Sequence, residues 1–151
     1  MSWEEAKQHR QQWASQRKKV VFTNGCFDLL HPGHIKYLND AKALGDVLIL
    51  GLNVDASISR LKGNCRPINP LNDRAAMLYG LKSIDAVVAF EEDTPQKLIT
   101  MLLPDVLVKG GDYQADDIVG AKEVRAAGGE VVIVPFLEGY SSSKLIERIK
   151  A

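Results

Sequence analysis

Short apolar runs alternate with helical stretches along most of this chain. The runs are continuous rather than alternating with polar residues, which is typical of parallel strands covered on both faces. They lie at 18–23, 47–52, 86–90, 106–108 and 131–134. Between and after them, helical spacing or helix-capping residues occur at 35–44, 71–82, 96–103 and 119–127, and near the end after Ser141. The pattern predicts a three-layer α/β domain with five parallel strands and right-handed crossovers.

The length of 151 residues is that of one domain with a buried core. Residues 1–17 predict an amphipathic surface helix anchored by Trp3 and Trp13, ahead of the main domain at 18–151. We expect this helix to pack against its own domain, although a contact between subunits would use the same tryptophans.

Charge and composition argue against several classes of partner. Nineteen basic residues balance nineteen acidic ones, so neither nucleic acid nor a membrane surface is an expected partner. The start of the chain is polar, and no apolar run approaches the roughly 20 residues of a membrane span. Cys26 and Cys65 form neither a CxxC pair nor a zinc pattern. We therefore expect a cytoplasmic protein in which Cys26 is a packing residue.

Ligands of parallel sheets bind beyond the carboxyl ends of the strands. This rule predicts that four segments share a site: the turn at 23–34, the loop from Asn53, the segment 109–113 and the chain after Val134.

The turn at 24–34 carries two of the three histidines, His31 and His34, on either side of Pro32-Gly33. A strand precedes it and a helix follows, so the histidines lie at a helix N-terminus. Such a terminus presents unpaired N–H groups and partial positive charge, which favour bound phosphate. Imidazoles there can donate hydrogen bonds to phosphoryl oxygens. We predict a phosphate site at this turn.

The string His31-Pro32-Gly33-His34, preceded by Gly25-Cys26-Phe27-Asp28, resembles the HxGH signature of the nucleotidyltransferase superfamily. Longer strings are similar to the adenylyltransferases that convert D-glycero-β-D-manno-heptose 1-phosphate to ADP-heptose. These strings lie at 22–34, 60–63, 66–67, 90–95 and 108–113. The resemblance implies a single Rossmann-like domain of the nucleotidyltransferase type.

The resemblance also implies a reaction. A sugar 1-phosphate oxygen attacks the α-phosphorus of ATP in line, Mg²⁺ bridges the polyphosphate, and pyrophosphate departs without a covalent enzyme intermediate. The product would serve lipopolysaccharide or another surface glycan, and a homodimer is expected. Two alternatives stay open. One is a related cytidylyl- or adenylyltransferase for glycerol 3-phosphate or FMN, and the other is a nucleotide-binding protein without turnover.

Individual roles follow from the same resemblance. Catalytic roles are implied for His31, His34, Lys42 and Arg74, although by position alone Lys42 could be a solvated surface lysine. Substrate-binding roles are implied for Asp28, Asn53, Asp55, Lys62 and Arg66. Nucleotide-binding roles are implied for Thr23, Asn24, Gly25, Cys26, Phe27, Gly33, Lys109, Gly110, Asp112, Ser141, Ser142 and Ser143.

Four of these interpretations have a plain structural alternative. The basic stretch 59–67 would close over a phosphorylated substrate or be a solvated loop. Gly110-Gly111 would let the backbone approach a flat ligand, or form only a turn. Ser141 is as well explained by a helix cap as by a ligand contact, and Asp28 by a local cap as by substrate binding.

Overall fold

The computed structural model describes residues 1–111 and 113–151. Its five strands form one parallel sheet in the order β3-β2-β1-β4-β5. The predicted parallel α/β architecture is therefore confirmed. The strands are β1 (Val20–Gly25), β2 (Val47–Asn53), β3 (Ala86–Phe90), β4 (Val106–Gly110) and β5 (Glu130–Val134). The helices are α1 (Trp3–Ser15), α2 (Pro32–Lys42), α3 (Asp55–Lys62), α4 (Leu71–Tyr79), α5 (Gln96–Leu102), α6 (Ala121–Ala126) and α7 (Ser142–Lys150), with a 3₁₀ turn at Ala115–Asp117.

Two hydrophobic cores lie on the two faces of the sheet. Along β1, Val20 and Phe22 enter the core that α1, α5 and α6 cover, whereas Val21 enters the core under α2 and α4. Because both faces are covered, all residues of β2 and most residues of β1, β3 and β4 are buried, whereas the edge strand β5 is mostly half-buried. This explains why the strands read as continuous apolar runs in the sequence.

Helix α1 packs on the sheet through side chains at both of its ends. Ser2 and Glu5 form a capping box at its start. Trp3 donates from Nε1 to the Ala89 carbonyl at 2.8 Å, and Trp13 packs against the core. The helix therefore contacts its own domain as expected, while the division of the chain at residue 17 stays a prediction.

Helix α3 differs from the sequence-based expectation, which placed a basic loop at 59–67. The helix continues to Lys62 because Ile58 is buried and because Arg60 and Lys62 in its last turn suit the negative end of the helix dipole. Gly63, at φ +99°, ends it. Only the residues after Gly63 form the loop.

The carboxyl ends of the strands meet along one edge of the sheet. Strand β1 is central, with β2 and β3 on one side and β4 and β5 on the other. The chain changes direction across the sheet at β1, which is the position where ligands of such sheets bind. Within residues 1–111 and 113–151, no helix has the length and apolarity needed to cross a membrane.

Candidate active site

A cleft of about 710 Å³ runs along the carboxyl edge of the sheet. Its walls come from the β1–α2 turn, the end of α3, the β3–α5 connection, the end of β4 and the β5–α7 connection. The structure thus brings together segments that the strand-end rule selected. The predicted site residues that line it are Asn24, Gly25, Cys26, Phe27, Asp28, His31, Gly33, His34, Asn53, Lys62, Arg66, Lys109, Gly110, Ser141, Ser142 and Ser143.

His31 and His34 form a stacked pair at the start of α2. The two ring centroids lie 3.8 Å apart with an angle of 20° between the planes. His31 is the N-cap residue, and its Nδ1 accepts from the His34 backbone N–H at 3.3 Å. Because Nδ1 accepts, the proton of a neutral His31 is on Nε2. A Cβ at Gly33 would lie 2.9 Å from the His31 ring, so the glycine allows this arrangement.

His34 is held in its neutral form. Its ring packs against Phe27 at a centroid distance of 5.0 Å, and its Nδ1 is buried with no hydrogen-bond partner in the described part of the chain. Burial, with the charges of His31 and Lys62, lowers the pKa of His34 to about 4. Burial also lowers the pKa of His31. At neutral pH the pair can therefore offer N–H donors without carrying charge.

Lys62, at the end of α3, supplies positive charge close to the histidines. It is exposed, lines the cleft, and is near enough to lower the pKa of His34. Within residues 1–111 and 113–151, no carboxylate forms an ion pair with it. Its ammonium is therefore available to an anionic ligand.

Asp28 organises the loop that follows α3. Its buried carboxylate accepts from the backbone N–H groups of Ile68 (2.7 Å) and Asn69 (2.8 Å), and from Nε of Arg66 (2.9 Å). Burial raises its pKa, but these hydrogen bonds outweigh burial and hold the pKa below its ordinary value. The contacts support the interpretation that Asp28 orients the turn, and they place Arg66 beside it at the cleft.

Arg74 does not line the cleft, contrary to the predicted contact with phosphate. Its side chain is fully buried, and it donates to the carbonyls of Cys26 (2.9 Å), Asn53 (2.8 Å) and Asn69 (2.9 Å). It also pairs with Asp55 at 2.6 Å, so Asp55 contacts Arg74 rather than the cleft. Both residues thus stabilise the segments that form the cleft without lining it.

Lys42 lies at the wrong end of its helix for the predicted catalytic role. It is the last residue of α2, about 16 Å along the axis from His31. Its ammonium donates to the Asp46 carbonyl at 2.6 Å and pairs with Asp85. Thr23 is also absent from the cleft, because it is buried in β1 with its hydroxyl 2.5 Å from that of Tyr37.

The segment after β4 forms the opposite wall. Burial lowers the pKa of Lys109, and its ammonium lies 5.5 Å from the centroid of the Tyr113 ring. A Cβ at Gly110 would lie 2.5 Å from a carbon of the Phe136 ring, and one at Gly111 would lie 2.9 Å away. The paired glycines thus make room for the Phe136 ring, and the close approach of a flat ligand to them stays a prediction. The predicted ribose contact, Asp112, lies outside the described residues.

The serines at the start of α7 have different partners. Ser141 is the N-cap, and its Oγ accepts from the Lys144 N–H at 3.0 Å, which favours the cap interpretation. Ser142 donates from Oγ to the Leu29 carbonyl at 2.7 Å and so ties α7 to the β1–α2 turn. Ser143 is exposed at the cleft. Two helix N-termini, those of α2 and α7, therefore meet at one cleft.

Several cleft residues were missed by sequence reasoning. Asp93 and Thr94 belong to a string that carried the family resemblance, but that string suggested no role for them. Phe136 and Tyr140 lie in the β5–α7 connection, and nothing in their spacing predicts a ring in the cleft. All four line it.

The donor set suits an anionic ligand better than a bare metal ion. Lysine, arginine, imidazole and helix N-termini converge on the cleft. In the residues that the structure describes, no group of three or more His, Cys, Asp or Glu side chains is placed to hold a metal ion.

Comparison with known proteins identifies the family. Residues 22–148 match the family described as cytidylyltransferase-like. The chain belongs to this family. The predicted membership of the nucleotidyltransferase superfamily is thereby confirmed, and the roles of His31 and His34 stay predictions.

Curated relatives agree with this assignment. The chain is 54% identical over 148 residues to the bifunctional protein HldE of Haemophilus ducreyi, covering 98% of this chain and 31% of that protein. It is 57% identical over 133 residues to the bifunctional protein HldE of Proteus mirabilis, covering 88% of this chain and 28% of that protein. The chain thus spans less than a third of the length of these relatives.

Solved structures show the same fold. A lipopolysaccharide core biosynthesis protein from Thermoplasma volcanium aligns with a TM-score of 0.63 at 31% identity, covering 82% of this chain and 99% of that one. Pantothenate synthetase from Thermus thermophilus aligns with a TM-score of 0.65 at 17% identity, covering 99% of this chain and 69% of that one. The second likeness concerns the fold alone and confirms a Rossmann-like domain.

Proposed function

We propose that this chain transfers AMP from ATP to D-glycero-β-D-manno-heptose 1-phosphate, giving ADP-heptose and pyrophosphate for lipopolysaccharide or another surface glycan. The observation that carries the proposal is the neutral His31–His34 pair beside Lys62, where two helix N-termini meet. The sugar is inferred from the matched strings, and the likeness to a lipopolysaccharide core biosynthesis protein of Thermoplasma volcanium supports it.

The transfer requires positioning and charge stabilisation rather than a nucleophile from the protein. The α-phosphate would lie at the start of α2, where Nε2–H of His31 can donate to a phosphoryl oxygen. Nδ1 of His34 is buried, which leaves its Nε2 to meet the ligand. The positive charge of Lys62 would repel a protonated imidazole, whereas neutral imidazoles can donate hydrogen bonds there without this repulsion.

Lys62 is the cation best placed for the phosphates, because it is exposed at the cleft beside His34. At the start of α7, the exposed Ser143 is suited to the departing pyrophosphate together with the backbone N–H groups of that helix. Burial raises the pKa of the Cys26 thiol, which suits its assignment as a packing residue rather than a nucleophile.

Mg²⁺ would enter as part of the Mg·ATP substrate. Mg²⁺ commonly binds through substrate phosphates and waters, so it does not need a cage of side chains. A bound Mg²⁺ neutralises charge on the polyphosphate. Lys109 and Lys62, on opposite walls, would bind what negative charge remains.

We further propose that the protein acts in the cytoplasm as a homodimer, with neither nucleic acid nor membrane as a partner. The balanced charge of the chain supports the latter. Light scattering at micromolar concentration tests the homodimer, and a monomer mass would refute it.

The test of function is pyrophosphate release with Mg²⁺. Each nucleoside triphosphate is combined with both heptose 1-phosphate anomers, glycerol 3-phosphate and FMN. We expect release with ATP and the β-anomer. Release only with glycerol 3-phosphate or FMN would replace the proposed acceptor, and ATP binding without release from any pair would favour a protein without turnover.

His34→Ala links the test to the site. We expect turnover to fall about 100-fold or more, the order seen when one transition-state hydrogen-bond donor is removed. Far-UV circular dichroism should be unchanged. A variant with a near-normal rate would contradict the role of His34.

A further inference from the structure

The cleft has two chemically different halves on either side of the histidines. The half beyond β2 and β3 carries Lys62, Arg66 and Asp93. The half beyond β4 and β5 carries Lys109 and the serines at the start of α7, but otherwise mainly apolar and aromatic side chains, including Phe136 and Tyr113. A nucleoside triphosphate combines a charged chain with a flat, uncharged base. If its α-phosphate lies at the central histidines, the base fits the apolar half.

Phe136 is the most prominent apolar group in that half. It is 65% exposed, although a phenylalanine ring ordinarily gains by leaving water. The far edge of its ring lies over Gly110 and Gly111, where a Cβ would approach Cε1 to 2.5 Å and Cε2 to 2.9 Å. The ring of Tyr37 lies beside it at a centroid distance of 6.3 Å.

These contacts seat the ring without covering it. Gly111 has a φ of +108°, a conformation that favours glycine. The Phe136 ring occupies the space that both glycines leave, and at Gly110 the ring of Tyr37 shares it. The result is an aromatic surface that is supported by backbone and open to the cleft. Aromatic side chains presented in this way bind bases by stacking, and every base has a suitable π-face.

We propose that Phe136 is the stacking platform for the nucleotide base and that it favours a purine over a pyrimidine. The proposal rests on the proposed function for the identity of the nucleotide. The larger purine offers more area to the ring, so the same contact contributes to the choice of ATP over CTP.

The test is calorimetric binding of ATP, CTP and inorganic tripolyphosphate in the absence of a sugar phosphate. We expect Phe136→Ala to raise the Kd for ATP about tenfold, the order measured for the loss of one stacked base. The Kd for tripolyphosphate, which has no base, should stay within twofold. The preference for ATP over CTP should shrink.

Two substitutions at the same position separate stacking from packing. Phe136→Trp keeps an aromatic face and should bind ATP within about threefold of wild type. Phe136→Leu keeps apolar volume without a ring and should resemble Phe136→Ala. Leucine binding ATP as tightly as phenylalanine, or ATP and tripolyphosphate weakening in parallel, would overturn the proposal.

Binding and turnover fail separately in this design. If Phe136 controls ATP affinity but no sugar phosphate yields pyrophosphate, the platform stands and the proposed reaction is wrong. If turnover with the heptose is normal but Phe136→Ala leaves the ATP Kd unchanged, the reaction stands and the platform is wrong.

Discussion

Lowering the pH from 7 to 5 should destabilise the protein through His34. Unfolded, this imidazole has a pKa of about 6.5. Folded, the pKa is about 4, because burial disfavours the charged ring. Between pH 4 and pH 6.5, His34 is protonated in the unfolded chain and neutral in the folded chain. The free energy of unfolding is therefore unaffected by the protonation of His34 above about pH 6.5, and it falls as the pH drops from 6.5 towards 4.

The magnitude follows from the two pKa values. Between pH 7 and pH 5 they predict a loss of about 2 kcal/mol in the free energy of unfolding. This figure is an upper value, since part of the His34 ring reaches solvent. The lowered pKa of His31 acts in the same direction. Asp28 affects this interval little, because its pKa is lowered from 3.8.

Urea unfolding at constant ionic strength measures this loss, with circular dichroism and the fluorescence of Trp3 and Trp13 as probes. His34→Gln keeps a polar side chain but cannot be protonated, so most of the loss between pH 7 and pH 5 should disappear. His31→Gln is the matched control and should remove a smaller part. Parallel pH profiles for wild type and His34→Gln would refute the reasoning.

Further predictions concern the cations that the structure redistributes. Arg74→Lys keeps a charge but loses the fork that reaches three carbonyls, so we expect a loss of about 3 kcal/mol in urea unfolding; unchanged stability with reduced turnover would instead indicate a direct phosphate contact. Lys42→Ala should leave pyrophosphate release within twofold of wild type and cost less than about 1 kcal/mol, since its ion pair is partly exposed. Lys62→Ala should raise the KM for ATP or the sugar phosphate at least tenfold, and equal rates for the two lysine variants would contradict the assignment.

Sequence patterns predicted the sheet well because its burial is two-sided. Each strand contains a run of apolar residues that can be recognised from the sequence alone. A helix cap or helical spacing follows most of these runs. Helix α3 escaped this reasoning because only Ser57 and Ile58 in it are buried. Two buried positions do not make a periodic pattern, and the surrounding cations are equally common in loops.

The site was predictable where a residue's place in the chain fixes its place in the fold. His31 and His34 follow the end of β1 and reach the cleft. Lys62 reaches it from the end of α3, and only the family resemblance singled it out. Lys42 was assigned to the site wrongly because a motif match does not give the distance between residues in the fold. The length of α2 places Lys42 at the opposite edge of the sheet from the cleft. A buried arginine such as Arg74 looks like any helical arginine until its partners are known.

The contacts of Arg74 have a consequence for the rate of ligand capture. One guanidinium connects the β1–α2 turn, the exit of β2 and the loop before α4, through Cys26, Asn53 and Asn69. The conformational entropy of these three segments is therefore lost when the chain folds, before any ligand arrives. Binding does not have to order them, which preserves affinity. ATP should consequently associate in one kinetic phase, without a slow isomerisation of the surrounding loops.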